Sequence, residues 1–165
     1  MKTVVIFGGS GFIGQHIVRR IAKKGYKIIV PYQRSTNEAK LRLFGNLGQI
    51  IPLKYSDVND SNIINSIKAS EAIINLRTLW KEKNNSFEKG IYQFNLKLIN
   101  LIKKIDNNKF FIYFSGLGIE KNSHSKRTRE IAKTEEIIKK ISLNASIIKP
   151  GIVIGGGDNF LKKLL

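Results

Sequence analysis

The chain has 165 residues, 42% of them hydrophobic and 25% charged, which suits one globular domain with a sizeable core and leaves no room for a full second domain. It holds no cysteine, and its two histidines, His16 and His124, lie far apart; disulfides and thiolate metal sites are excluded, no metal site is expected, and both histidines read as solvated surface residues. The formal net charge of +17 would suit nucleic acid, but the cations come as scattered pairs, Arg19-Arg20, Lys23-Lys24, Lys103-Lys104, Lys139-Lys140 and Lys162-Lys163, mostly near predicted helix ends where the macrodipole favours them, so nucleic-acid binding is not the expected role.

In chain order, an apolar strand at 3–7 runs into Gly8-Gly9-Ser10-Gly11-Phe12-Ile13-Gly14 and then into a helix at 12–24 that carries Ile17, Val18 and Ile21 and stops at Gly25. A strand at 27–31, a helix at 36–44, a strand at 50–54 and a helix at 59–69, with Asp60 and Ser61 at its capping place, follow. Next come a strand at 72–76 and the clearest helix, 86–105, with Phe87, Ile91, Phe94, Leu98, Leu101, Ile102 and Ile105 on one face. A strand at 110–114, a helix at 126–141 and a strand at 145–149 complete the pattern. Strict alternation predicts an α/β fold, a Rossmann doubly wound parallel sheet of six strands in the order 3-2-1-4-5-6 with helices on both faces, as a single domain over 1–165. No apolar run approaches the roughly 18 residues of a membrane span. The first strand starts too early to leave space for a signal peptide, so a cytoplasmic location is expected.

The glycine turn carries the first functional expectation. Positions 9, 11 and 14 fit G-x-G-x-x-G, and 8, 11 and 14 fit a wider spacing; glycine there lets the backbone approach a pyrophosphate and lets the helix sit close to the sheet. Free N–H groups on the first helical turn, at the positive end of the dipole, then face the anion. Gly8, Gly9, Ser10, Gly11, Phe12, Ile13 and Gly14 are the expected dinucleotide cradle. The end of the second strand chooses between nicotinamide cofactors. It reads Val30-Pro31-Tyr32-Gln33-Arg34-Ser35, without the carboxylate that binds the 2′-hydroxyl of NAD. Arg34, helped by Ser35, can instead pair with a 2′-phosphate, so NADP(H) is preferred and NAD(H) is the second choice; the alternative is an ordinary solvated loop cation at 34. Asp57, with Val58 beside it, is placed to meet the adenine edge or to cap a helix. Asn75 and Leu76, at the end of the fourth strand, should lie where the chain passes over the cofactor.

These residues carry a resemblance. Phe7-Gly8-Gly9-Ser10-Gly11-Phe12-Ile13-Gly14, Val30-Pro31-Tyr32-Gln33-Arg34, Phe44-Gly45-Asn46-Leu47-Gly48-Gln49, Ile73-Ile74-Asn75-Leu76 with Trp80 and Phe87, and Ile148-Lys149-Pro150-Gly151 resemble the atypical, extended-type short-chain dehydrogenase/reductases, which include epimerases and dehydratases. Within them the chain is similar to the NADPH-binding accessory subunits of mitochondrial respiratory complex I and their bacterial relatives. The resemblance implies a nicotinamide-binding Rossmann domain holding NADP(H), in some relatives without turnover.

Active members of that superfamily use a Ser after the fifth strand and a Tyr-x-x-x-Lys pair on the next helix, where the Lys lowers the Tyr pKa. Here Ser115 fits the serine place and Lys133 the lysine place, as remnants of a catalytic set, with Lys133 either holding ribose hydroxyls or solvated. Four residues earlier stands Arg129, which cannot give up a proton as a phenol does. Family members also continue past the sixth strand into substrate-closing segments, whereas this chain ends at Phe160-Leu161-Lys162-Lys163-Leu164-Leu165. Its apolar C-terminal surface near Gly155 is expected to meet a partner protein or a second copy. Three roles stay open: a cofactor-binding protein without turnover in assembly, structure or redox sensing, an active NADP-dependent oxidoreductase or epimerase/dehydratase with an unrecognised acid, and a basic nucleic-acid-binding module.

Overall fold

The computed structural model describes residues 1–33, 36–83, 85–141 and 143–158. Arg34, Ser35 and the run from Phe160 to Leu165 lie outside the described residues, and with them the expected 2′-phosphate contact and the C-terminal part of the expected docking surface, whose stretch near Gly155 is described.

The strands β1 (Thr3–Phe7), β2 (Lys27–Tyr32), β3 (Ile50–Lys54), β4 (Ala72–Asn75), β5 (Phe110–Phe114) and β6 (Ala145–Ile148) form one sheet in the order β3-β2-β1-β4-β5-β6. Every neighbouring pair is parallel, with Val5 opposite Ile29 on one side and Ile73 on the other. Parallel neighbours require crossovers, supplied by α1 (Phe12–Lys23), α2 (Glu38–Arg42), α3 (Ser61–Ala69), α4 (Phe94–Ile105) and α5 (Lys126–Lys140). The chain walks outward from β1 to β3, then returns to the other side of β1. Because each crossover is right-handed, that reversal moves the helices to the opposite face. Val18, Ala22 and Leu41 of α1 and α2 accordingly pack on Val4, Ile6, Ile28, Val30 and Ile74. Ile63, Ile67, Leu98, Ile102 and Ile138 of α3, α4 and α5 pack on Val5, Phe7, Ile29, Ile73 and Phe111. The crevice created by the reversal opens where β1 and β4 end.

Three local details sharpen the sequence expectation. Gly25 ends α1 at φ +82°, its N–H reaching the Ala22 carbonyl at 2.9 Å, a turn that glycine alone makes cheaply. Asp60 occupies the N-cap of α3, but its carboxylate faces away from the helix and accepts from the backbone N–H of Ser56 (2.8 Å) and Asp57 (3.3 Å). The helix expected at 86–105 is two elements, a π-helical turn over Glu88–Gln93 that feeds into α4. Arg77 donates to the Gly90 carbonyl and the Asn95 amide donates to Ile91 O at 2.8 Å, so side chains draw on carbonyls in the widened turn. None of the described helices is long and apolar enough to cross a membrane.

Candidate functional site

The glycine turn is built by contact, and its geometry explains its composition. Gly8 has φ +77°, and a Cβ there would stand 2.9 Å from the Arg77 nitrogen at the end of β4. A Cβ on Gly14 would stand 2.2 Å from the Gly8 carbonyl oxygen, so any side chain would force α1 off the turn. The Gly11 N–H closes onto Gly8 O at 3.0 Å, Gly11 caps α1, and the first turn of α1 carries no acidic residue. The N–H groups at the start of α1 lack intrahelical acceptors and converge with the positive end of the helix dipole. A diphosphate fits this cradle: close backbone, free donors and no competing carboxylate in the first turn.

From the cradle a cleft of about 890 Å³ runs along the carboxyl ends of the strands. Gly8, Gly11, Phe12, Ile13 and Gly14 form its floor, and Leu76, Thr78 and Trp80 continue it past β4. Ser115, Arg127 and Ile131 stand at the β5 and α5 side, and Pro150 to Val153, beside the end of β5, and Asp158 complete the lining.

On the β2 side, Gln33 ties three elements together. Its amide donates to Ser56 O at 2.9 Å and its oxygen accepts from the Arg77 guanidinium at 3.0 Å. Arg77 also lies 4.0 Å over the Phe94 ring. Tyr55 is buried beside it; loss of water pushes the phenol pKa up to about 12, moderated by the Arg77 charge. Asp57 folds its carboxylate back onto the Asn59 N–H at 3.0 Å and pairs with Lys97 at 3.2 Å; the backbone donor, then Lys97, holds its pKa below the ordinary 3.8. Asp57 therefore stabilises its own turn and does not cap α3.

Val58 and Asn75 are placed differently from the sequence expectation. Val58 is buried in the core. Asn75 is fully buried, donating to Asn95 Oδ1 at 2.6 Å and accepting from the Arg77 N–H at 2.9 Å. Asn75 braces the fold because successive β4 residues alternate faces and position 75 falls on the α4 side, where it meets Asn95. Leu76, one residue on, does line the cleft.

The correction with most consequence concerns α5. Lys133 turns away from the cleft: its ammonium pairs with Glu130 at 2.7 Å and lies 5.9 Å from the Tyr92 ring centroid, contacts that raise its pKa through the Glu130 hydrogen bond. Arg129 turns back to the start of the helix, donating to the carbonyls of Ser123 (2.7 Å) and His124 (3.0 Å). The two positions four apart that face the cleft are Arg127 and Ile131. Ile131 and Ile138 are buried, and an amphipathic helix must turn those residues to the core, which rotates the expected pair by two positions. Neither cleft-facing residue is a tyrosine or a lysine.

Ser115 lies at the β5 end of the cleft, but its hydroxyl donates to Glu135, a residue 4% exposed. Lys149 closes the other carboxylate oxygen of Glu135 at 2.7 Å. The sequence reading missed this cluster, although an acidic residue on the apolar face of α5 was its visible signal. The Arg127 guanidinium donates to Leu79 O at 2.9 Å and to Thr78 Oγ1 at 3.2 Å, and stacks 4.1 Å from the Trp80 ring centroid. Tyr113, buried and bonded to Thr134, has its pKa raised by burial. Phenols that lose water this way hold their protons, so neither Tyr55 nor Tyr113 is poised for proton transfer near neutrality.

The model of the NAD dependent epimerase/dehydratase family matches residues 4–139. The chain belongs to that family. Among curated relatives it is 32% identical over 159 residues to the mitochondrial NADH dehydrogenase (ubiquinone) 1 alpha subcomplex subunit 9 of Arabidopsis thaliana, covering 94% of this chain and 39% of the relative. It is 27% identical over 163 residues to the mitochondrial NADH-ubiquinone oxidoreductase 40 kDa subunit of Neurospora crassa, covering 98% and 43%. A photosystem II assembly factor of Cyanophora paradoxa is 28% identical over 152 residues, covering 89% and 44%. The chain thus spans about two fifths of the length of these relatives. Among solved structures, the Bordetella bronchiseptica enzyme WbmH in complex with NAD+ superposes with a TM-score of 0.75 at 16% identity, over 96% of this chain and 58% of that one. A Bacillus halodurans epimerase/dehydratase-type protein gives 0.75 at 15% identity, over 96% and 74%. These likenesses share the Rossmann fold read from the sheet order.

Proposed function

We propose that this epimerase/dehydratase-family chain binds a nicotinamide dinucleotide across the carboxyl edge of its sheet and holds it without the proton-transfer chemistry of active relatives. The pyrophosphate would rest on Gly9, Ser10, Gly11 and the first turn of α1, with the nicotinamide half extending toward Ser115 and Arg127. When bound, such a cofactor supplies hydride chemistry; this chain's residues bind and orient it. The observation that carries the reading is the pairing of an intact cradle with Arg127 and Ile131 at the cleft-facing positions of α5. A guanidinium stays protonated near neutral pH and an aliphatic group has no ionisable proton, so neither serves as a general acid or base there.

Preference for NADP(H) over NAD(H) is part of the proposal. It is supported by the absence of a carboxylate between Val30 and Ser35 and by Arg34, with the Arg77 guanidinium bonded to Gln33 at the same edge. The biological role we infer is an accessory or assembly function beside a membrane-associated respiratory complex, supported by relatives named as subunits of NADH-ubiquinone oxidoreductase and by one named as an assembly factor. A cytoplasmic placement, peripheral to such a complex, accompanies it.

Thermal unfolding with NADPH, with NADH and with neither tests this. A ligand at a hundred times its Kd stabilises by about 2.7 kcal/mol, which for a domain of this size raises Tm by several degrees. NADPH is expected to give the larger shift, and Arg34→Asp to weaken NADPH about tenfold by removing a charge-assisted contact. No shift with either nucleotide would overturn the reading, and equal weakening of NADH would remove Arg34 from the 2′-phosphate site.

A further inference from the structure

The Arg127 side chain is a half-buried cation in a cleft proposed to receive a cofactor whose two redox forms differ in charge. Its position is fixed from three sides by Leu79 O, Thr78 Oγ1 and the Trp80 ring. Among the described residues no carboxylate pairs with it, so its charge is not cancelled locally. Glu135, behind Ser115, pairs with Lys149 at 2.7 Å, and Asp158 on the cleft wall accepts from the Gly155 N–H at 2.9 Å. Burial does not discharge a guanidinium at working pH. On the α5 wall, this group contributes positive potential at the far end of the cleft from the diphosphate cradle.

We propose that Arg127 makes the cleft select the reduced dinucleotide, whose dihydronicotinamide ring is uncharged, over the oxidised one, whose nicotinamide ring is cationic. The proposal rests on the dinucleotide reading given above. The diphosphate is common to both forms, so the cradle cannot discriminate between them. Arg127 can, because it repels only the cationic ring. A unit charge acting over roughly 10 Å through an effective dielectric of about 20 changes an affinity by about tenfold. Tighter binding of the reduced form moves the potential of the bound couple upward, by about 30 mV for each tenfold in the affinity ratio. The consequence is a domain that fills in proportion to the reduced fraction of the pool and empties as that pool is oxidised, which is a sensing behaviour and not a catalytic one.

Isothermal titration of the purified chain with NADPH, NADP+, NADH and NAD+ separates the alternatives. The reduced member of at least one pair is expected to bind about tenfold more tightly than its oxidised partner. Arg127→Gln should bring that ratio close to one, mainly by improving the oxidised form, and Arg127→Lys should retain most of it. Because Arg127→Gln also gives up the bonds to Leu79 and Thr78, the salt dependence of the unmodified chain is a second measurement. A ratio that narrows with added salt supports a charge effect. Oxidised and reduced forms binding equally at low salt would overturn this inference while leaving dinucleotide binding intact. If none of the four nucleotides binds, the dinucleotide reading falls and takes the inference with it.

Discussion

The two ends of the cleft have been treated differently by the sequence. At the β1–α1 end every position that the geometry constrains holds the residue it needs: Gly8 for a left-handed turn, Gly14 for contact between helix and turn, no acid in the first helical turn. At the β5–α5 end the two cleft-facing positions one turn apart hold Arg127 and Ile131, and the serine beside them donates to the buried Glu135, which pairs with Lys149. Binding a diphosphate needs backbone shape, which α1 and β1 impose together. Acid–base chemistry needs particular side chains, and these can change while the fold survives. Under the function proposed here, the contrast separates occupancy of the cleft from turnover within it, even though both rest on one sheet.

The largest expected effect breaks the intact end. Gly14→Val would drive a side chain into the Gly8 carbonyl, already 2.2 Å from an ideal Cβ. A forced overpacking of this kind costs about 1 to 3 kcal/mol of stability. Nucleotide affinity should fall about a hundredfold or more, the equivalent of two lost charge-assisted N–H contacts. Calorimetric unfolding and nucleotide titration on the same sample read both; retention of full affinity would mean that α1 does not cradle the ligand. A smaller effect probes the altered end. Combining Arg127→Tyr with Ile131→Lys should lower the introduced phenol's pKa by about one unit or more relative to Arg127→Tyr alone, because a nearby ammonium favours the phenolate. Ultraviolet pH titration of the two variants measures this. Identical titrations would show that positions 127 and 131 do not meet across one turn of α5.

How far the sequence carried depends on which periodicity was in force. Strand ends were legible to within a residue or two because short apolar runs such as Val4 to Phe7 and Phe110 to Phe114 are bounded by polar or glycine residues. The glycine cradle was legible because its spacing is local in the chain, although Gly8 is also held against Arg77, beyond β4. The α5 register was not, since Tyr-x-x-x-Lys spacing is satisfied equally by 129 with 133 and by 127 with 131. Only the packing of Ile131 and Ile138 chooses between them. The π-helical turn was hidden for a related reason: Gly90 and Asn95 look like blemishes in an amphipathic helix until Arg77 and Asn75, from another strand, are seen to bond there. Residues that brace the site from distant elements have no one-dimensional signature.

The smallest expected effect falls at the adenosine side, and it tests whether Asp57 and Asp60 are spent on the fold or remain free for a ligand. Both carboxylates are held below the ordinary 3.8, Asp60 chiefly by the Ser56 N–H and Asp57 chiefly by the Asn59 N–H, with Lys97 assisting. A group whose folded pKa is depressed contributes stability above its unfolded value and loses it as pH falls through the folded one. The turn from Ser56 to Asp60 should therefore loosen on the acid side of pH 4, and Asp57→Asn and Asp60→Asn should each flatten that part of the stability curve. Both side chains are substantially exposed, so solvent screening keeps the change small. Amide exchange within the turn across that window is the sensitive measurement. A carboxylate recruited by an adenine amino group would add a second signature, a nucleotide-dependent fall in the Asp57 pKa read by carboxyl NMR. Its absence, with NADPH bound, would leave Asp57 as a purely internal tie and confine recognition at this edge to the backbone and the cations that follow β2 and β4 in the chain, Arg34 and Arg77.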